Sequence, residues 1–195
     1  MTRHPPYRKE DGVTVIDVAL SDPRLLFSEL DPSPIREKDL DDTTEDYIVG
    51  ALREVGTGQP IKLVFHVPAA QLDGLDVAGV RESLKNYFSY RAWGEGESLR
   101  AMLRTAWVSL AIGLAFLIGC LAVRQFLIVA EDTAAAVLKE GLLISGWVAM
   151  WRPIELLLYD WWPIWRRRRL YTRLSKAPVE FRGSPLSMPS PFISR

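Results

Sequence analysis

The chain has 195 residues, 48% of them hydrophobic, and its 24 basic and 24 acidic side chains give a formal net charge of +0. A chain without net charge has no overall field that would favour nucleic acid as a partner. Its single cysteine excludes an intrachain disulfide framework, and its two histidines supply few ligands for a metal ion. The sequence also lacks a phosphate-binding glycine loop, a dinucleotide fingerprint and a zinc helix motif, so we expect no cofactor and no metal site.

The first half of the chain predicts a small cytoplasmic α/β domain. We assign residues 1–12 to a flexible N-terminus and residues 13–98 to a domain with the element order β-α-β-α. The segments VTVIDVAL (13–20) and IKLVFHV (61–67) are rich in β-branched residues, which is typical of strands. This order predicts a parallel strand pair joined by a crossover helix.

The two helices of this domain are predicted from their caps and apolar periodicity. Asp42 and Glu45 have the spacing of a capping box at the start of the first helix. Asp76 is predicted to cap the second helix, with a break near Gly94 and Gly96 before the chain reaches the membrane. The apolar stripe of the second helix is Val77, Val80, Leu84, Tyr87 and Phe88.

A sheet of only two strands would leave both of its edges open. Such a pair is marginally stable in water, so we expect a further strand to complete it. The candidate within this chain is the stretch PVEFR at residues 178–182. The alternative is a strand supplied by a neighbouring subunit or another partner.

Two apolar segments predict a transmembrane hairpin. We assign residues 99–131 to the first transmembrane helix, residues 132–138 to a short external loop and residues 139–165 to the second helix. About 18 consecutive uncharged residues lie between Ala106 and Val123, close to the length needed to cross a bilayer core. The predicted interfacial anchors at the end of the second helix are Asp160, Trp161, Trp162 and Trp165.

The distribution of basic residues predicts the orientation of this hairpin. Arginines at 91, 100 and 104 precede the first segment, whereas the connection is acidic at Glu131 and Asp132. The positive-inside rule therefore places both termini in the cytoplasm, with residues 166–195 as a basic C-terminal tail. The run that begins this tail is expected to stop translocation and to contact anionic lipid headgroups. It consists of Arg166, Arg167, Arg168 and Arg169.

Arg152 and Glu155 interrupt the second apolar segment. They lie three residues apart, so they can pair on one helix face, and Pro153 between them predicts a kink near residues 149–151. Charged side chains within a bilayer usually face protein or water. The pair therefore locks the hairpin or a subunit contact, or it lines an ion, proton or lipid pathway. In a third interpretation the span ends early and Arg152 lies at the interface.

A dense polar loop precedes the first helix. Its charges pair with one another, form a docking surface for a partner or line a catalytic cleft. The last is the least supported, because no nucleophile or base is evident beside them. The candidate docking residues are Arg36, Glu37, Lys38, Asp39 and Asp41. His66 lies on a predicted strand and is interpreted as a packed core residue rather than as a base.

Two stretches carry a resemblance. They are SELDPSPIREKDLDDTTEDYIVGALRE (28–54) and LKEGLLISGWVAMWRPIELLLYDWWPIWRRRRLYTRLSKAPVEF (138–181). Together they resemble a family of bacterial two-span inner-membrane proteins with a small N-terminal cytoplasmic α/β domain. The resemblance implies the bacterial inner membrane as the location, and it implies no catalytic residue.

These patterns favour a non-enzymatic, membrane-anchored assembly or adaptor protein. It would form homo-oligomers, or bind a membrane-protein partner, through its hairpin. The alternative is a small ion channel or transport component in which Arg152 and Glu155 line an oligomeric pathway. A lipid-interface enzyme is the third and least supported hypothesis. The expected partners are the lipid bilayer and anionic lipid headgroups, and not nucleic acid.

Overall fold

The computed structural model of the chain describes residues 7–27, 39–56, 58–126 and 133–184. The described elements form a small mixed sheet with helices. The strands are β1 (Lys9–Glu10), β2 (Val13–Ala19), β3 (Ile61–Pro68) and β4 (Val179–Ser184). The α-helices are α1 (Asp42–Val55), α2 (Ala69–Leu72), α3 (Val77–Phe126), α4 (Thr133–Glu155) and α5 (Trp161–Leu174). A 3₁₀ turn spans Pro23–Leu26, and a π-helical turn, Leu156–Asp160, lies between α4 and α5.

The chain divides into two compact units. The first is built from both ends of the chain, with Met1–Trp93 and Arg168–Arg195, and the second is Gly94–Arg167. Helices α3 and α5 each contribute residues to both units. The second unit is therefore inserted into the connection between β3 and β4 of the first.

The first unit contains a four-stranded sheet with the strand order β1-β2-β3-β4. Strand β2 pairs with β3 in parallel, as the sequence predicts, and β4 adds in parallel to the other edge of β3. The stretch at 178–182 thus supplies the missing strand. Strand β1 pairs antiparallel with β2, so Lys9 and Glu10 belong to the sheet and not to a flexible N-terminus. Asp11 and Gly12 between these strands both have positive φ, as in a two-residue hairpin turn, and this turn reverses the chain so that β1 pairs with β2.

One face of the sheet forms the hydrophobic core with the helices. Alternating residues such as Ile16 and Phe65 are fully buried there against α1, the first turns of α3 and the end of α5. Helix α5 contributes Leu170, Tyr171 and Leu174 to this core. Residues 168–184 of the predicted tail are consequently helix, turn and strand of the first unit, and residues 185–195 lie outside the described residues. The sequence did not predict this apolar face of α5, because the four arginines directly before it indicate an exposed segment.

The opposite face of the sheet is covered by ion pairs. Glu10 contacts Lys62 Nζ at 2.9 Å and Arg182 Nη1 at 2.8 Å. Glu180 contacts the same two cations, with Oε2 at 2.6 Å from Lys62 Nζ and Oε1 at 2.8 Å from Arg182 Nε. Val15, which faces Lys62 in the strand register, is 0% exposed. This charged layer seals the open face without a second layer of helices.

His66 lies on this charged face, and not in the hydrophobic core where its strand position suggested it would pack. Its Nε2 atom is 2.8 Å from Asp17 Oδ1 on the neighbouring strand. Residues of β3 alternate between the two faces, and Phe65 takes the core side. Because this strand has buried residues on both faces, its sequence pattern does not show which residues face the hydrophobic core and which face the charged layer.

The helix caps follow the sequence only in part. Asp76 accepts a hydrogen bond from the Gly79 amide at 2.9 Å, as predicted for the start of α3. The cap of α1 is Asp41, which accepts from the amides of Thr43 and Thr44, and not Asp42. Glu45 does not complete a capping box, because its carboxylate is engaged in the core instead.

The long helices also differ from the prediction at their irregular points. Helix α3 runs through Gly94 and Gly96 without a break, and α4 begins at Thr133, within the predicted external loop. Helix α4 continues through Pro153, and a π-helical turn, Leu156–Asp160, follows it. The kink near residues 149–151 stays a prediction. A π turn can absorb the disturbance to the hydrogen-bond ladder that a proline causes.

Within the second unit, α3 and α4 pack as an antiparallel hairpin. A Cβ at Gly113 would lie 3.0 Å from the Ala149 carbonyl oxygen, and one at Gly146 would lie 2.7 Å from Leu117. At Gly113 the close atom belongs to the backbone of α4, so a small residue lets the two helix backbones approach there. At Gly146 the close atom is the Cδ1 end of the Leu117 side chain. The free Cys120 is buried beside the same contact, as a small apolar residue would be.

Two helical runs are long and apolar enough to cross a membrane. The first is α3, Val77–Phe126, and the second is Ala136–Leu174, which continues through α4, the π-helical turn and α5. Only 17% of the most apolar window of each is buried, whereas the core helix of a soluble protein would be mostly buried. Large apolar side chains point outward along both helices. They include Trp107, Ile112, Phe116, Ile118, Ile144, Val148 and Trp151.

The charged face of the sheet predicts a pH dependence of stability. Hydrogen bonds from Arg182 and Lys62 lower the pKa of Glu10 from 4.5 to about 2. Because the folded state keeps this carboxylate ionised while the unfolded chain protonates, its stabilisation is present above pH 4.5 and is lost as the pH falls toward about 2.

We expect Glu10→Gln to lower the melting temperature at neutral pH and to flatten its decline between these two pH values. Thermal unfolding of the full chain in mild detergent measures this. Asp73→Asn, at an exposed loop position, is the matched control. Parallel pH profiles for Glu10→Gln and the wild type would refute the assignment.

Candidate functional site

A cluster of charged side chains lies at the end of α4 and in the π-helical turn that follows it. Arg152 Nη1 is 3.1 Å from Glu155 Oε2 and 3.6 Å from Asp160 Oδ2. The helical spacing predicts the first contact but not the second. The three side chains are 64%, 43% and 39% exposed, respectively, so the chain itself covers them incompletely. We call Arg152, Glu155 and Asp160 the polar triad.

The π-helical turn brings Asp160 into this triad. In a regular α-helix, residues eight apart are about 80° apart around the axis, so Asp160 would lie on a different face from Arg152. A π turn inserts about one residue, which gives Asp160 the angular position of a residue seven ahead, about 20° from Arg152. The turn at Leu156–Asp160 therefore places one cation and two carboxylates on a single face.

The helix register places the triad within the apolar part of the hairpin. Gly113 approaches Ala149 and Met150, so Arg152 lies at about the level of residue 111 in an antiparallel pair. Residues 105–123 of α3 carry no charge and extend for ~28 Å, about the thickness of a bilayer core. The level of Arg152 falls inside this stretch, about 10 Å from its nearer end.

The predicted aromatic anchors form one cluster just after the triad. The rings of Trp162 and Trp165 lie 5.3 Å apart, and Trp161 contacts both, at 5.5 and 6.3 Å between ring centroids. The four arginines that follow are exposed on helix α5. In the second unit, Arg167 lies 3.9 Å from Glu95. These residues have the composition of a membrane interface: aromatic rings followed by cations.

A buried carboxylate connects α1, α3 and α5 in the first unit. Glu45 on α1 accepts hydrogen bonds from the hydroxyl groups of Tyr87 on α3 and Tyr171 on α5, the latter at 2.6 Å. Arg91 on α3 donates Nη2 to both carboxylate oxygens, at 2.7 and 2.8 Å. The Glu45 side chain is 6% exposed and that of Arg91 44%. We call these four residues the Glu45 cluster.

The electrostatics of this cluster keep Glu45 ionised. Burial raises the pKa of the carboxyl, but the hydrogen bonds from Tyr171, Tyr87 and Arg91 outweigh it, and the pKa is lowered below its usual value. The pKa of Tyr87 is raised by burial and by its bond to Glu45, so the phenol remains a donor. The guanidinium of Arg91 also lies over the rings of Tyr87 and Tyr171, 5.7 Å from each centroid. The arrangement is suited to holding helices together, because every group is satisfied by another.

The proposed docking loop is described only at its end. Arg36, Glu37 and Lys38 lie outside the described residues. Asp39 is engaged with a neighbouring group, and the Asp41 carboxylate caps α1. For Asp41 the structure thus gives a role in helix capping.

No group of three or more residues suited to holding a metal ion occurs within the described ranges. No family model, curated protein or solved structure matches this chain.

The sequence did not reveal the Glu45 cluster or the place of Asp160 in the triad. Glu45 lies on α1, whereas Tyr87 and Arg91 lie on α3. Tyr171 is 126 residues from Glu45, so no local pattern joins them. One available signal was the position of Glu45 on the apolar stripe of α1, beside Ile48 and Leu52. A charged residue at a core position requires a partner.

Replacing Glu45 should destabilise the first unit. We expect Glu45→Gln to lower the free energy of unfolding by about 2 kcal/mol, because a charged acceptor of several buried hydrogen bonds is lost. Tyr171→Phe should cost about 1 kcal/mol. Chemical denaturation of the full chain in mild detergent measures both. Asp46→Asn, on the exposed side of α1, should be neutral; an equal loss in that control would contradict a specific role for the cluster.

Proposed function

We propose that this protein is a membrane-anchored assembly or adaptor protein that forms homo-oligomers through its apolar hairpin. The observation that carries the proposal is the polar triad, which is exposed among large apolar side chains that also point outward, such as Trp147, Val148 and Leu158. A charged side chain near the middle of a bilayer costs about 2.5–3.5 kcal/mol on insertion scales. Packing against protein removes the triad from lipid, so an oligomer offsets this cost.

A second copy of the chain has suitable chemistry to cover the triad. One triad contains one cation and two carboxylates, and the Arg152 contact to Asp160 is longer than that to Glu155. In a dimer with twofold symmetry, each Arg152 can approach the carboxylates of the other copy, and the same surface serves both partners. Membrane helices associate through such polar contacts together with close packing at small residues.

The topology of the chain supports a location of both ends of the hairpin on the same side of the membrane. Both ends of the hairpin continue into the first unit, which is built from N-terminal and C-terminal residues together. A unit that folds from both ends lies on one side of the membrane, which agrees with an even number of spans. The arginines that flank the hairpin favour the cytoplasmic side by the positive-inside rule, and the family resemblance favours the bacterial inner membrane.

The proposal predicts that Glu155→Gln weakens self-association. Polar contacts between membrane helices contribute about 0.6–1.7 kcal/mol, so losing one should weaken association roughly 3- to 18-fold. Energy transfer between two fluorescently tagged copies in liposomes, measured as lipid is added, reports the affinity. Glu140→Gln, near the other end of α4, is the control and should associate like the wild type. Unchanged association of Glu155→Gln would argue against the triad as the contact.

A small channel or transport component is the second candidate. The alignment of three charged side chains on one helix face by the π turn favours it, because such a face can line a water-filled path in an oligomer. Ion flux into liposomes that disappears in Glu155→Gln, while association persists, would support the channel. Assembly without flux in the wild type would support the assembly protein.

A further inference from the structure

A cleft in the first unit combines an apolar floor with a cationic rim. It has a volume of ≈ 370 Å³ and lies among the early turns of α3, the end of α5 and the start of β4. Its volume is within the range of small-molecule sites. Its accessible apolar surface is on Ala177, Pro178 and Val179, and behind this surface lie the buried core residues Leu84, Phe88 and Leu174. Any ligand in the cleft would therefore rest on the edge of the core.

The charged residues that line the cleft are all cations. Arg81, Lys85 and Lys176 are exposed on its rim, and none of its described lining residues is acidic. Arg81 Nε donates a hydrogen bond to the Val179 carbonyl oxygen at 3.1 Å, which fixes the guanidinium beside β4. This bond uses one of the five N–H donors of the group. The rim therefore presents positive charge at a defined position next to apolar surface.

We propose that this cleft binds a single-chain amphipathic anion, such as a fatty acid or an alkyl phosphate. The anionic head contacts Arg81, Lys85 and Lys176, and the hydrocarbon chain lies against Ala177, Pro178 and Val179. Charge-assisted hydrogen bonds fix the head, and the apolar floor selects for a chain. An inorganic anion would engage only the rim, and a neutral alcohol only the floor.

Calorimetric titration of the full chain in zwitterionic nanodiscs tests this, with empty nanodiscs as the reference. The probes are octyl phosphate and octanoate, compared with inorganic phosphate and octanol. We expect at least one of the two amphipathic anions to bind more tightly than inorganic phosphate and octanol. If only one of them binds, the result identifies the head as a phosphate monoester or a carboxylate and still supports the proposal.

Two paired variants locate the binding. The double variant Lys85→Gln/Lys176→Gln leaves the bond from Arg81 to Val179 intact and should bind the anion roughly tenfold more weakly, since two charged contacts are lost. Arg53→Gln/Lys9→Gln removes two exposed cations elsewhere on the same unit and should bind like the wild type. Equal affinity of both double variants would overturn the proposal. So would inorganic phosphate matching octyl phosphate, or no binding above empty nanodiscs.

Discussion

The Glu45 carboxylate is the contact on which the first unit depends, because it joins α1 to helices that are separated by the whole hairpin. Tyr87 and Arg91 reach it from α3 before the chain enters the second unit, and Tyr171 reaches it from α5 after the chain returns. Strand β4 follows α5 in the chain and pairs with β3. Closing so long a connection costs chain entropy, which the buried hydrogen bonds and the core around Phe88 and Leu174 must offset.

The two units expose opposite kinds of surface. In the first unit, ion pairs between Glu10, Glu180, Lys62 and Arg182 cover the sheet face that lacks helices. In the second, large apolar side chains point outward along the middle of α3 and α4, and the polar triad interrupts this apolar surface. Under the assembly proposal, a lipid environment would account for the apolar surface, and contact with another hairpin would cover the polar triad. The assembly proposal explains both with one arrangement.

Local signals predicted the parts of the fold that local chemistry determines. The strands at Val13–Ala19 and Ile61–Pro68, the Asp76 cap and the contact between Arg152 and Glu155 follow from residue type and spacing. Long-range partners could not be read in this way. The bond from Tyr171 to Glu45 joins distant segments, and the π turn that aligns Asp160 with Arg152 changes the spacing on which a helical prediction relies. The role of residues 170–174 in the core was not predicted, because the arginines at 166–169 indicate an exposed segment.

Assembly through the triad is tested most directly by the protein-only mass of the complex extracted in mild detergent, determined by sedimentation in a density-matched solution. We expect this mass to be a defined multiple of the mass of one chain and to persist on moderate dilution. In Glu155→Gln we expect it to fall toward the mass of one chain. A wild-type protein that sediments as a single chain under all these conditions would contradict assembly through the triad. It would require Arg152, Glu155 and Asp160 to be satisfied within one hairpin or by a different protein.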